Sequence, residues 1–173
     1  HGRRGTHLSR TAPGQRLILT ESRPLRYFTF FLFYFGQGLP VGLTVTAIPA
    51  WMAANGVDDA SVGELVAWAY VAWTYKFIVA AFMDRFTFLA MGRRRIWLIG
   101  AQILMSGGFI CAALLDPGPQ DYLVLVAVTV LVMTGAATQD VAVDGLAVDI
   151  LPEREQGTAS AFMFGGQSFG AAM

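Results

Sequence analysis

Four blocks of apolar residues, each long enough to cross a bilayer, decide what this chain can fold into. They occupy residues 27–52, 62–83, 96–115 and 122–143, and a fifth begins near Thr158 and is cut off at Met173. A spanning helix needs about 20 predominantly apolar residues, whereas buried core stretches of soluble proteins are nearer 10–14. Charged residues make up only 14% of the chain, against about 25% in soluble domains. The sequence therefore predicts an all-α, polytopic membrane bundle. Its helices are expected at about 27–52, 62–83, 96–115, 122–147 and 158–173, the last truncated. Residues 1–26 are expected to form a basic cytoplasmic tail and residues 27–173 the membrane domain.

Charge placement orients this bundle. Arg3, Arg4, Arg10, Arg16, Arg23 and Arg26 precede the first block, Arg85 and Arg93, Arg94 and Arg95 lie between the second and third, and Arg154 follows the fourth. The loops at 55–61 and 116–121 carry aspartates and no lysine or arginine. That is the positive-inside pattern. It predicts an integral protein of the cytoplasmic (inner or plasma) membrane with its N-terminus in the cytoplasm and lipids as neighbours. A basic tail beside a membrane explains the N-terminal arginines, so nucleic acid is not expected as a partner. The tail is no secretory signal, because its apolar stretch is only Leu17, Ile18 and Leu19. His1 and His7 lie in it and are assigned no ligand role. Cys111 is alone in the third block, so no disulfide can form within the chain.

Lys76 is the only lysine, and it sits inside the second block. An ionised group at mid-membrane costs roughly 2.5–3.5 kcal/mol, so it is kept where it meets a partner or a wet path. Ala69, Ala72, Trp73 and Ala80 share its helical face, while Val71, Ile78 and Phe82 lie away from it. A face of small residues packs on neighbouring helices, which turns Lys76 into the bundle. In the fourth block, Asp140 and Asp144 are four apart and share one face. Asp140 is expected at the depth of Lys76. Asp149 falls about half a turn round from Asp140 and reads as a cytoplasmic cap. Lys76 is thus expected to pair with Asp140, with Asp144, or with an anionic group of a solute. Either a working proton-coupling element or a static pair fixing helix register fits this pattern.

The first block is punctuated by Gly36, Gly38, Pro40, Gly42 and Pro49. Pro40 removes a backbone bond near mid-span. Interrupted helices there mark hinges or binding sites in transporters, with Gln37 placed to contribute a hydrogen bond. Close packing through Gly38 and Gly42 explains the same residues, and Gly166 and Gly170 repeat the spacing in the fifth block. Gln167 is polar at depth and is a further candidate to line a cavity. Trp51 and Trp97 lie near the interfaces that indole favours. Trp68 and Trp73 lie within the second block, as packing, lipid contacts or sugar-stacking surfaces.

The connection after the second block reads Met83-Asp84-Arg85, then Gly92-Arg93-Arg94-Arg95. This resembles the D-R-x(n)-G-R-R loop of the major facilitator superfamily. Gly36-Gln37-Gly38-Leu39-Pro40 resembles the G-x-x-S-G-L-P segment of the AmpG-like muropeptide permeases and acetyl-coenzyme A transporters. Ala50-Trp51-Met52, Tyr75-Lys76-Phe77, residues 83–102 and the stretch Ala137-Thr138-Gln139-Asp140-Val141-Ala142-Val143-Asp144-Gly145 are similar to segments of that family in the same order. Together they cover about residues 33–152. The resemblance implies the N-terminal part, about 4.5 helices, of a twelve-helix fold that moves a small solute by alternating access, with protons as the coupling ion. It also implies a longer protein whose C-terminal helices are partners of these. Asp84, Arg85, Gly92, Arg93, Arg94 and Arg95 would stabilise one conformation at the cytoplasmic side. Lys76, Asp140, Asp144, Gln139 and Gln37 would be the substrate or proton-coupling residues, and Gly36, Gly38 and Pro40 the hinge. One departure follows Asp144. This chain has Gly145-Leu146-Ala147, where the muropeptide permeases usually have an aromatic and an arginine and the acetyl-coenzyme A transporters have a glycine. The solute stays open between muropeptide and acyl-coenzyme A types.

Enzymatic function is not expected. The chain has no phosphate-binding loop of the nucleotide-hydrolase type, no Cys/His cluster at metal spacing and no nucleophile–base pair. No cofactor or metal is expected. The alternative to a carrier is a membrane receptor or scaffold that keeps the fold and moves nothing. A membrane-embedded enzyme would need its catalytic groups from outside this segment.

Overall fold

The computed structural model of the chain describes Leu19 and residues 22–86 and 94–173. α1 (Arg23–Gly42) opens on Pro24, whose fixed φ suits a first helical turn. It continues unbroken through Gly36, Gly38 and Pro40, passes into a π-helical turn (Leu43–Ala47) and proceeds as α2 (Ile48–Ala54). Thr44 Oγ1 donates to the Pro40 carbonyl at 2.7 Å. The departure from α geometry thus lies one turn beyond the Gly36–Pro40 segment where the sequence places it. The predicted boundary between tail and membrane domain, after residue 26, falls inside α1.

The second apolar block forms two helices, α3 (Asp59–Thr74) and α4 (Lys76–Arg85), parted at Tyr75 (φ −106°, ψ 13°). A continuous helix over 62–83 is what the pattern predicts, since no glycine or proline marks the break. The Thr74 hydroxyl bonds back to the Val71 carbonyl at 2.7 Å, and the Ile78 N–H closes a tight turn on the Tyr75 carbonyl at 2.9 Å. The remaining helices are α5 (Arg95–Leu115), α6 (Tyr122–Ile150) and α7 (Glu153–Ala171). Among the described residues, four helical stretches are long and apolar enough to cross a membrane: Arg23–Ala54, Asp59–Arg85, Arg95–Leu115 and Tyr122–Ile150. α7 carries the fifth apolar block. It begins ahead of the expected Thr158, and its glutamates, serines and glutamines lower its hydropathy.

α6 is apolar round most of its circumference, interrupted by Gln139, Asp140 and Asp144, and is the most buried of the spanning helices described. It packs against α1, α3, α4 and α5. Small residues set the distances. Gly108 of α5 lies under Val132, and Gly135 of α6 meets Met105 and the Ala101 carbonyl. The closest seam joins α1 to α7. Gly38 and Gly42 face the backbone of Gln167 and Ala171, and Gly166 and Gly170 face the carbonyls of Phe31 and Phe35. A Cβ at any of these four would strike main chain, so the packing reading of the paired glycines holds at this seam.

The arginine-bearing ends of the helices gather at one end of the bundle. There Arg26 of α1 meets Glu155 of α7 through Nε at 3.2 Å and Nη2 at 2.6 Å, both side chains buried. Arg23 adds a 2.8 Å pair to the same carboxylate. At the far end, Asp58 caps α3, accepting from the Ser61 hydroxyl at 2.7 Å and from its N–H at 2.9 Å. Those bonds, the hydroxyl's first, hold the Asp58 carboxyl below its ordinary range.

Candidate functional site

The face predicted for Lys76 is the face observed. Ala69 and Ala72 are buried, Ala80 and Trp73 are half-buried, and Ile78 and Phe82 are exposed. Val71, placed away from that face, is half-buried. Lys76 is the first residue of α4, so the break at Tyr75 sets the direction in which it leaves the helix. Its Nζ lies 3.3 Å from Asp140 Oδ2 on α6, the lysine side chain 34% and the aspartate side chain 8% exposed. The same Nζ is 5.4 Å from the Trp73 ring centroid, within cation–π range. Of the pairings open from sequence, the structure holds the one with Asp140.

Asp140 is held from a second side. Gln37 Nε2 of α1 donates to Asp140 Oδ1 at 2.9 Å, so each carboxylate oxygen accepts one bond. One helical turn nearer the arginine-bearing end, Tyr34 of α1 donates its hydroxyl to Asp144 Oδ1 at 2.5 Å. α1 and α6 run antiparallel, so Gln37 and Tyr34 form two rungs with Asp140 and Asp144. With both carboxylates ionised and Lys76 charged, the cluster carries one net negative charge. Gln37 Oε1 and Trp73 Nε1 are buried beside it without a hydrogen-bond partner. An unpaired buried polar atom costs on the order of 1–3 kcal/mol, so this is a place suited to receive a polar ligand.

Gln139 is turned away from this cluster. Its Nε2 donates to the Phe33 carbonyl at 2.6 Å, and its Oε1 accepts from Gln102 Nε2 of α5. It ties α6 to α1 and α5. Neighbouring helical positions differ by about 100°, which separates it from Asp140.

At the arginine-bearing end, Arg94 joins three helices. Its Nη1 lies 3.1 Å from Asp84 Oδ1 at the end of α4, and its Nε lies 3.5 Å from Asp149 Oδ2 at the end of α6. Asp149, expected as a cap, lies in the last turn of α6 at that end and pairs with Arg94. The guanidinium also fills the space over Gly145: a Cβ there would lie 2.5 Å from Arg94 Cζ. Arg85 and Arg95 are exposed. Gly92 and Arg93 lie outside the described residues. Of the proposed hinge, Gly36 has open space where a side chain would go, whereas Gly38 is packed on α7. Trp97 donates to the Phe86 carbonyl at 3.4 Å, Trp51 and Trp68 are exposed, and Cys111 is exposed.

Sequence reasoning missed Tyr34, Glu155 and the break at Tyr75. Tyr34 is three residues before Gln37 and so on its face, a signal that was present. No group of three or more potential metal ligands occurs among the described residues.

Comparison with known proteins agrees with this architecture. Residues 27–173 match the profile of the Major Facilitator Superfamily. The chain is 36% identical over 138 residues to the anhydromuropeptide permease of Escherichia coli K12, an alignment covering 79% of this chain and 27% of that protein. It is 28% identical over 140 residues to a putative transporter AmpG 4 of Rickettsia conorii, covering 79% and 33%. An uncharacterized protein of Schizosaccharomyces pombe is 25% identical over 149 residues, covering 82% and 28%. The chain therefore spans only about a quarter to a third of the length of these relatives. Membrane-length helices, an inward-facing charge pair and a profile match across nearly all the described helices lead to one assignment: this chain belongs to the Major Facilitator Superfamily, and its likeness within it is to the AmpG-like permeases.

Proposed function

We propose that this chain supplies the first helices of a secondary transporter that moves a small solute by alternating access and couples that movement to protons. The observation that carries the reading is the 3.3 Å pair between Lys76 and Asp140 in the apolar interior. A buried pair of this kind is weak evidence of stability, because desolvation offsets much of the attraction. It is well suited to being broken and remade. Protonation of Asp140 would release Lys76 for an anionic solute group, and loss of the proton would draw it back. Small residues at the helix seams suit a bundle that must adopt two packings of similar free energy.

The arginine distribution supports a cytoplasmic N-terminus, which would set the Arg94 bridge at the cytoplasmic side. There it would favour one conformation of the carrier. The name of the Escherichia coli relative makes an anhydromuropeptide the first solute to try, with acetyl-coenzyme A as the second. Gly145, where the sequence departs from the muropeptide pattern, lies under the Arg94 guanidinium and so beside the Arg94 bridge.

The test is uptake by the full-length protein in proteoliposomes, with and without an inward proton gradient. Gradient-stimulated uptake of either solute, lost in Lys76→Ala and Asp140→Asn, is the expected result. Wild-type stimulation in both variants would remove the pair from the mechanism, and absence of uptake with signalling on ligand binding would favour a receptor.

A further inference from the structure

Asp140 is largely shut off from solvent. Its side chain is 8% exposed, and Lys76 and Gln37 each hold one of its oxygens. A neighbouring side chain is its most direct source of a proton. Asp144 is one turn nearer the arginine-bearing end and is exposed. With Gln156, Ser160 and Phe164 it lines a cavity of about 350 Å³ between α1, α6 and α7. Gln156 and Ser160 are exposed and lie in the first two turns of α7, so the cavity reaches the arginine-bearing end. It has room for several waters, and Ser160 Oγ, which donates to the Gln156 carbonyl at 2.9 Å, keeps acceptor capacity for one.

Tyr34 stands between the two carboxyls. Its hydroxyl donates to Asp144 at 2.5 Å and also neighbours Asp140. A phenol both donates and accepts, which a relay requires. Resting on the proton-coupled reading above, we propose that Tyr34 passes the proton between Asp140 and Asp144, and that Asp144 exchanges it with water in the α1–α6–α7 cavity. In the outward step, Asp140 gives its proton to the Tyr34 oxygen while Tyr34 gives its own hydrogen to Asp144 Oδ1. The phenol is regenerated, Asp140 becomes a carboxylate that recaptures Lys76, and Asp144 becomes a carboxylic acid. Asp144 then releases the proton to the cavity. Loading runs the same steps in reverse, and no charge is left on the tyrosine. Among the described residues, the charged and titratable groups facing Asp144 are Tyr34 from α1, Asp140 on α6 and Lys76 from α4; Arg94, just ahead of α5, lies over the adjacent Gly145. α7 brings the neutral Gln156 and Ser160.

Tyr34→Phe keeps the ring and deletes the relay oxygen. Full-length protein in proteoliposomes is assayed with anhydromuropeptide for gradient-driven uptake and, separately, for solute exchange at equal pH. The expected result is that gradient-driven uptake falls at least about ten-fold further than exchange does, as loss of a positioned proton carrier would produce. Equal loss in both assays, or wild-type gradient-driven uptake, overturns the relay. Infrared difference spectra after a pH step give a solute-free readout. A carboxyl band that is absent in Asp144→Asn and slowed in Tyr34→Phe is expected, and a band indifferent to Asp144→Asn overturns the exchange role. A wild-type Tyr34→Phe response beside dead Lys76→Ala and Asp140→Asn variants would sink the relay alone. A wild-type protein indifferent to the gradient would sink the coupled reading with it.

Discussion

The Arg94 guanidinium occupies the space that a side chain at Gly145 would need, with Cζ 2.5 Å from the position of a Cβ there. That relationship joins a loop residue to the helix bearing both site aspartates. From this place Arg94 reaches Asp84 and Asp149 together. Gly145→Ala is expected to push the guanidinium aside and weaken both pairs. The guanidinium is the far end of a flexible side chain and both pairs are partly exposed, so the loss is expected to be about 1 kcal/mol or less. Gly157→Ala, at an exposed helical position with nothing within 4 Å, is the control. It should be neutral or stabilising by about 0.5–1 kcal/mol, as alanine replaces glycine in a helix. Thermal unfolding of the full-length protein in detergent separates the two, and equal melting temperatures would dismiss the steric argument.

A second prediction concerns the α1–α7 seam. Gly38→Ala places a methyl group against the main chain of Gln167 and Ala171, which cannot rotate out of the way. Gly36→Ala meets nothing within 4 Å. The first should lower the melting temperature by an amount equivalent to about 2 kcal/mol or more, and the second should not lower it. A hinge that depends on glycine flexibility would instead make Gly36→Ala slow transport while leaving stability intact. Measuring melting and uptake on the same two variants distinguishes packing from hinge motion.

The inward aim of Lys76 was legible because helical spacing sorts alanines from large apolar residues whatever surrounds the helix. The depth match with Asp140 followed from rise per residue once the helix was taken to leave the membrane near Ala147. Other features had no such handle. The break at Tyr75 carries no glycine or proline, and it is fixed by the Thr74 hydroxyl and a tight turn that side-chain patterns do not report. Gln139 and Asp140 are adjacent in sequence, and only the packing of α1 and α5 shows that one serves the seam and the other the pair. Tyr34 was hidden in an aromatic run between Tyr27 and Phe35. Its three-residue spacing to Gln37 was the clue that distinguished it from its neighbours.

The Arg26–Glu155 pair predicts an acid limb to stability. Glu155 lies in the first turn of α7, ahead of the apolar block, and the Arg26 hydrogen bonds hold its carboxyl below the ordinary value of 4.5. A carboxyl depressed on folding stabilises the fold above its unfolded pKa, and that contribution fades as pH falls through the folded value. Glu155→Gln lacks the pair at every pH. The melting temperature of the wild type should exceed that of the variant at neutral pH, and the gap should close below about pH 4.5. A gap that stays constant into acid would mean the ion pair is not its source.

The Lys76–Asp140 pair can be weighed by a double-mutant cycle. Lys76→Ala leaves a buried carboxylate with neutral neighbours, Gln37 and the Tyr34 hydroxyl, and Asp140→Asn leaves a cation with the Trp73 ring. Each single change strands a charge, while the double change strands none. Fully buried pairs lose 3–5 kcal/mol when one partner is removed. Lys76 keeps a third of its side chain exposed, so its loss should cost less, roughly 2 kcal/mol. The double variant should be more stable than the sum of the singles by about 1–2 kcal/mol, read from chemical unfolding of the full-length protein in detergent. Strict additivity would mean that the two groups do not sense each other. The proton on Asp140 would then have no means of releasing Lys76, and the coupling mechanism would lose its physical basis.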